Sequence, residues 1–136
     1  MKISGSPFRF GLSMSMLLSA LMLVLDPRPT LASDDGILLC GWFENPTPGN
    51  AWLHDRSGEW TIAIQGGVQA EGKWPEFNDS QWIQTGSGSS GYGCACMRAR
   101  TKPASRDIVA ILSTTVKPLS VCRRDKALTE PKNPEK

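Results

Sequence analysis

Histidine is almost absent from this chain: His54 is the single imidazole in 136 residues. A zinc site therefore has one nitrogen ligand to draw on, and the cysteines lack the C-x₂₋₄-C spacing such sites use. A hydrolytic centre on His54 is poorly served as well. On a strand its neighbour Asp55 points to the opposite face, and no G-x-S-x-G nucleophile elbow occurs in the sequence. Glu71, Glu76 and Asp79 are the available carboxylates for glycoside chemistry, but they fall in a connecting segment where acidic residues are ordinarily solvated. No repeat at solenoid or propeller periods is present. No metal or cofactor is expected.

A long apolar run is also missing. The run Met14 to Leu25 (MSMLLSALMLVL) falls short of the ~20 residues a bilayer-spanning helix needs. It does have the length and setting of a secretory signal. Lys2 and Arg9 precede it, Asp26, Pro27 and Pro29 stop it, and Thr30-Leu31-Ala32 offers small residues for a signal peptidase. Cleavage is expected after Ala32, with Ser33 as the alternative site, and the intact mass of envelope material reads this directly. Leu39 before Cys40 is too bulky for a lipoprotein signal, so no stable membrane anchor is expected. The expected layout is a signal peptide over 1–32, one small β-rich domain over 33–127, and a disordered polar tail over 128–136. The product would be periplasmic or secreted.

Excess charge is the third absence. The chain has 15 Lys+Arg and 13 Asp+Glu; removing the signal takes Lys2, Arg9, Arg28 and Asp26 and leaves 12 of each sign. A neutral domain carries no electrostatic footprint for nucleic acid or an anionic membrane.

Alternation supplies the fold class. Trp60, Ile62 and Ile64 alternate with Thr61, Ala63 and Gln65, a half-buried strand, and Ala51 to His54 forms a second. Asp55-Arg56-Ser57-Gly58 between them has hairpin-turn chemistry, and Gly66-Gly67 ends the second strand. Trp74 to Asp79 reads as an irregular connection and Thr85 to Gly91 (TGSGSSG) as a loop. Tyr92 to Arg100 alternates again, with Tyr92, Cys94, Cys96, Arg98 and Arg100 on one face and Met97 on the other. Ile108 to Val116 is its partner across a turn holding Pro103. Pro118 ends that strand, and one helical turn carries Cys122. The expected fold is mainly β: a small disulfide-stapled barrel or curved sheet, OB-like by analogy, with little helix.

Four cysteines, Cys40, Cys94, Cys96 and Cys122, follow the signal. At i and i+2 on one strand, the β-carbons of Cys94 and Cys96 stand roughly 6–7 Å apart, whereas a disulfide holds them near ~3.8 Å. Each is therefore expected to pair with a different partner, leaving two connectivities open. The competing use of Cys94-Ala95-Cys96 is as a thiol-disulfide or metal-handling pair.

Five tryptophans are many for a domain this small. Trp60 is expected in the core, while Trp42, Trp52 and Trp74 are the candidates for a binding surface. The corner Asn45-Pro46-Thr47-Pro48-Gly49-Asn50 is a stiff loop beside them.

Several stretches resemble a bacterial exported family catalogued as a domain of unknown function, family 4087. They are Cys40-Gly41-Trp42-Phe43, the Asn45–Asn50 corner, Trp52-Leu53, Gly58-Glu59-Trp60, Gln65-Gly66-Gly67 and Tyr92-Gly93-Cys94-Ala95-Cys96-Met97. Pro118-Leu119 and Cys122-Arg123 with Asp125 fit its end. The resemblance covers Cys40 to Leu128 and implies a single exported domain with all four cysteines in the pattern. It implies no activity. The expected function is a binding or interaction module for an envelope or extracellular ligand, with the thiol or metal role as the alternative.

Overall fold

The computed structural model describes residues 35–133 together with Gly5. The expected signal segment over 1–32, Gly5 apart, lies outside the described residues, as do 33–34 and 134–136. Six strands and one short helix follow in chain order: β1 (Ile37–Thr47), β2 (Asn50–Asp55), β3 (Gly58–Ala63), β4 (Trp82–Gln84), β5 (Gly91–Lys102), β6 (Asp107–Lys117) and α1 (Leu119–Arg124). No helix among them is long and apolar enough to cross a membrane.

β1, β2 and β3 form an antiparallel meander, β6 follows β3 in parallel, β5 pairs antiparallel with β6, and β5 returns to β1 over Ile37↔Ala99 to Asn45↔Gly91. The ring β1-β2-β3-β6-β5 is thus joined back to its first strand, the small barrel or curved sheet expected from the sequence. Its narrowest join is β3 to β6, where Thr61 N–H donates to Arg106 O at 2.9 Å. The chain reinforces that join after β3. Ala70 N–H donates to Ile62 O (2.9 Å), Glu71 N–H to Val109 O (3.0 Å), and Ile111 N–H to Glu71 O (2.7 Å). Residues 69–71 therefore fill the seam between β3 and β6.

Alternation sorts each strand's side chains between an inner and an outer face. Leu39, Phe43, Leu53, Trp60, Ile62, Ala95, Met97, Ala99, Ile108 and Ile111 pack inside the ring. Contrary to the alternation read from the sequence, Ile64 does not share the inner face with Trp60 and Ile62; it is 42% exposed, and Ala63 is fully buried in its place. The register of β2 with β3 slips between Trp52↔Thr61 and Ala51↔Ala63. That extra residue at Ile62 reverses the alternation, as a β-bulge does.

The hairpin turn forms as its residues dictate. Asp55 Oδ1 accepts from Ser57 N–H (2.7 Å) and Ser57 Oγ (2.6 Å), and Gly58 takes φ 119°. Asp55 Oδ2 accepts from Trp60 Nε1 (3.0 Å), and the Arg106 guanidinium lies 4.3 Å from the Trp60 ring centroid. These contacts close the end of the ring that carries the β2–β3 and β5–β6 turns.

A second apolar layer lies outside the ring. Trp42, Tyr92, Cys94 and Cys122 form it, with Leu119 and Leu128 packed against it. α1 and the chain after it, through Leu128 and Glu130, cover this face. Tyr92 Oη donates to Glu130 Oε1 (3.0 Å), Arg123 grips the same carboxylate through Nε and Nη2 (3.1 and 2.8 Å), and Arg56 Nε reaches Asp125 Oδ2 at 2.8 Å. The polar sequence LTEPKN carries no apolar period, yet one leucine and one glutamate suffice because their partners sit on β5 and α1.

Burial, and next the Glu130 carboxylate, push the Tyr92 phenol up from its usual value to about 12. A folded-state pKa raised above the unfolded one gives stability that is complete below pH ~10 and is lost as pH rises through the folded value. The domain is therefore expected to weaken between about pH 10 and 12. Tyr92→Phe should flatten that decline in alkaline denaturation curves, and an unchanged decline would remove Tyr92 as its cause.

Candidate functional site

The disulfides come first, because they decide the fate of the C-x-C pair. Cys40 joins Cys96 and Cys94 joins Cys122. Cys40 and Cys96 face each other directly across β1 and β5, whereas Cys94, two residues along the same face, reaches outward to α1. Of the two connectivities left open by sequence, this is the one adopted. Both sulfurs of Cys94-Ala95-Cys96 are thereby committed to separate bonds, and no cysteine is free. The pair offers neither a dithiol nor thiolate ligands in this state. Met97 is buried on the inner face, away from them. Among the described residues no group of three or more His, Cys, Asp or Glu is placed to hold a metal ion.

His54 lies on the outer face of β2. Its Nε2 is 2.7 Å from Glu44 Oε2 and its Nδ1 3.6 Å from Glu59 Oε2. Asp55 instead serves the turn and Trp60, so no catalytic pairing links the two neighbours.

The structure does not bring Trp42, Trp52 and Trp74 together. Trp42 is fully buried in the outer layer, edge-on to Tyr92 at 5.4 Å between ring centroids and 84° between planes, so it presents no surface to a ligand. Trp52 is half-buried on the outer face of β2, opposite Glu44 and Thr61. Trp74 lies elsewhere, at the ring end that carries the Asn45–Asn50 corner, packed against Phe43 with centroids 5.7 Å apart.

There Trp74 has companions that sequence reasoning missed. Phe77 and Trp82 lie 4.9 Å apart and both approach Phe43, at 5.8 and 6.2 Å. Their seat is made by two glycines of β5. A β-carbon at Gly91 would run into the Trp82 indole, and one at Gly93 into the Phe77 ring, so the absence of side chains lets both rings lie on the strand. The motif Gly91-Tyr92-Gly93 was the available signal: two side-chain-free positions on one strand face require something large opposite.

These rings floor a cleft of about 480 Å³, within the roughly 300–1,000 Å³ typical of ligand pockets. Phe43 is buried, while Trp74, Phe77 and Trp82 are each half-buried against the core. Asn45, Asn78, Asp79, Gln84 and Ser89 rim the cleft. Hydrogen bonds fix much of this rim. In the amide orientation that satisfies its neighbours, Asn45 donates to Thr47 O (2.7 Å) and Asn50 O (2.9 Å). Gln84 Nε2 donates to Gly86 O (2.8 Å) and Gly88 O (3.3 Å), which shapes the Thr85–Ser90 loop. Asn78 Oδ1 accepts from Ser80 N–H (3.0 Å) and Ser80 Oγ (2.7 Å).

A second cleft, about 440 Å³, runs beside both disulfides and is lined by Leu38, Val121 and Leu128 with Arg56 and Lys117 at its edge. It is the gap between α1 and the outer face of the sheet and holds no aromatic ring.

No curated protein and no solved structure matches the chain. One family model does match, over residues 37–129, a span that takes in all six strands, both disulfides and the aromatic cleft. The chain belongs to that family, described as "Protein of unknown function (DUF4087)".

Proposed function

We propose that the chain is an exported binding module and that its ligand surface is the aromatic-floored cleft at the Asn45–Asn50 end of the barrel. The observation that carries this is the pairing of three half-buried rings, Trp74, Phe77 and Trp82, with a hydrogen-bonded polar rim around them. Aromatic side chains that pack into a core from one side and face a cleft from the other give large contact area with little rotamer freedom to lose on binding. The barrel supplies the rigidity, since the cleft floor rests on Phe43 of β1 and on β5, two strands locked together by the Cys40–Cys96 bond. Export fits the chemistry: two disulfides are compatible with a periplasmic or extracellular setting, and cleavage after Ala32 would deliver the domain there with no membrane anchor. The balanced charge left after cleavage argues against nucleic acid as the partner.

Indole ¹H–¹⁵N resonances of the five tryptophans test this whatever the ligand proves to be. In a screen of small aromatic, polyol, ammonium and carboxylate probes, those that bind are expected to shift Trp74 and Trp82 and to leave Trp42 and Trp60 unmoved. Binding confined to Trp52, or to the cleft beside the disulfides, would contradict the assignment.

A further inference from the structure

From the donor and acceptor pattern of the cleft rim we infer that the ligand is a neutral oligosaccharide, an inference that rests on the binding role proposed above. Three polar groups on the rim have no partner within the protein among the described residues. They are the Asn78 amide N–H₂, whose carbonyl is occupied by Ser80, the Gln84 carbonyl, whose N–H₂ is occupied by Gly86 and Gly88, and the exposed Asp79 carboxylate. One donor and two acceptors are thus left for solvent or a ligand on residues that line a single cleft.

A hydroxyl is the ligand group that meets both needs, because it donates one hydrogen bond and accepts others. A carboxylate or phosphate would find donors only in the Asn78 amide and the Ser89 hydroxyl. It would meet Asp79 as a like charge, and no Lys, Arg or His lines the cleft to offset that repulsion. An ammonium ligand would satisfy Asp79 and the ring faces but would leave the Asn78 donor without an acceptor. A purely apolar ligand would leave all three rim groups without the hydrogen bonds that water gives them.

The floor sets the second requirement. Trp74, Phe77 and Trp82 present ring faces and edges, which match a flat ligand with an apolar face and a polar perimeter. A pyranose has that form, with C–H groups on its faces and hydroxyls around its edge. The cleft is open at the surface and its volume of about 480 Å³ exceeds what one sugar ring fills, so a short run of linked sugars is the better occupant.

The test uses the mature chain, residues 33–136, with both disulfides intact. Neutral tetrasaccharides built from glucose, mannose, galactose or N-acetylglucosamine are titrated in turn while the indole resonances are followed. Acetylated tetrapeptides, choline and inorganic phosphate serve as the other probes. At least one tetrasaccharide is expected to shift Trp74 and Trp82 saturably. Asp79→Ala should then weaken it more than 10-fold with an unchanged thermal midpoint, while Trp52→Ala leaves the affinity within twofold. Should the peptide, choline or phosphate move those two indoles and no tetrasaccharide do so, the cleft stands as a binding site and the sugar assignment falls. If no probe moves them, both fall. A tetrasaccharide affinity indifferent to Asp79→Ala would also overturn the rim assignment on which the inference depends.

Discussion

Trp42→Ala is expected to destabilise the domain by ~3–5 kcal/mol, the range for emptying a buried aromatic site. Net stability in a domain of this size is only ~5–15 kcal/mol, so the variant should lose a large share of it and unfold at a markedly lower urea concentration. Trp42 is fully enclosed by Tyr92, the Cys94–Cys122 bond, Leu119 and Leu128. Removing it takes away the surface on which α1 and the chain to Glu130 rest. Its indole N–H has no hydrogen-bond partner among the described residues, so Trp42→Phe, which keeps most of the apolar contact and deletes that donor, should cost clearly less than alanine. Trp52→Ala, on the same outer face but only half-buried, should cost less than half as much as Trp42→Ala. Urea denaturation of the oxidised proteins gives the ranking. A larger loss at Trp52 than at Trp42 would mean that the outer layer is not a second core.

Removing Cys94–Cys122 by double alanine substitution is the other large effect. The bond spans 28 residues, for which constraint of the unfolded chain alone is worth about 3.5 kcal/mol. The Cys40–Cys96 bond spans 56, with an expected contribution of ~4 kcal/mol. The two should nevertheless fail differently. Cys40 and Cys96 staple strands already paired along β1 and β5, so their loss should lower stability while the native arrangement persists. Cys122 fastens α1 to the barrel, so losing its bond should also loosen the cover over Trp42, seen as faster amide exchange in β5 near Tyr92. Exposure gives a further distinction. Cys40 is exposed while Cys94 and Cys122 are buried, so limited reduction followed by alkylation should label Cys40 and Cys96 first. Labelling of Cys94 and Cys122 ahead of them would contradict the burial of the outer layer.

Local chemistry made much of the fold legible. Asp55 and Gly58 announced their hairpin, the alternation through Tyr92, Cys94 and Cys96 set the faces of β5, and the parallel i, i+2 cysteines required separate partners. What stayed hidden depends on contacts distant in sequence. The bulge at Ile62 is a feature of the β2–β3 pairing, which periodicity on one strand does not carry. The seam formed by residues 69–71 joins β3 to β6, two partners far apart along the chain. The cleft was missed for a related reason. Trp74, Phe77 and Trp82 belong to an irregular segment and a three-residue strand, where no period marks a buried face. Their positions follow only from the two bare glycines of β5 opposite them. Trp42 was placed on a surface because its covering segment, Leu119 to Glu130, is too polar to advertise that it packs.

Oxidative footprinting of the five tryptophans, with and without a bound tetrasaccharide, tests the assignment of the barrel-mouth cleft most directly. In the free protein Trp52, Trp74 and Trp82 should oxidise readily and Trp42 and Trp60 slowly, following their burial. With the sugar bound, Trp74 and Trp82 should be protected together while Trp52 keeps its free-state rate. Protection at Trp52 with Trp74 and Trp82 unchanged would contradict the assignment.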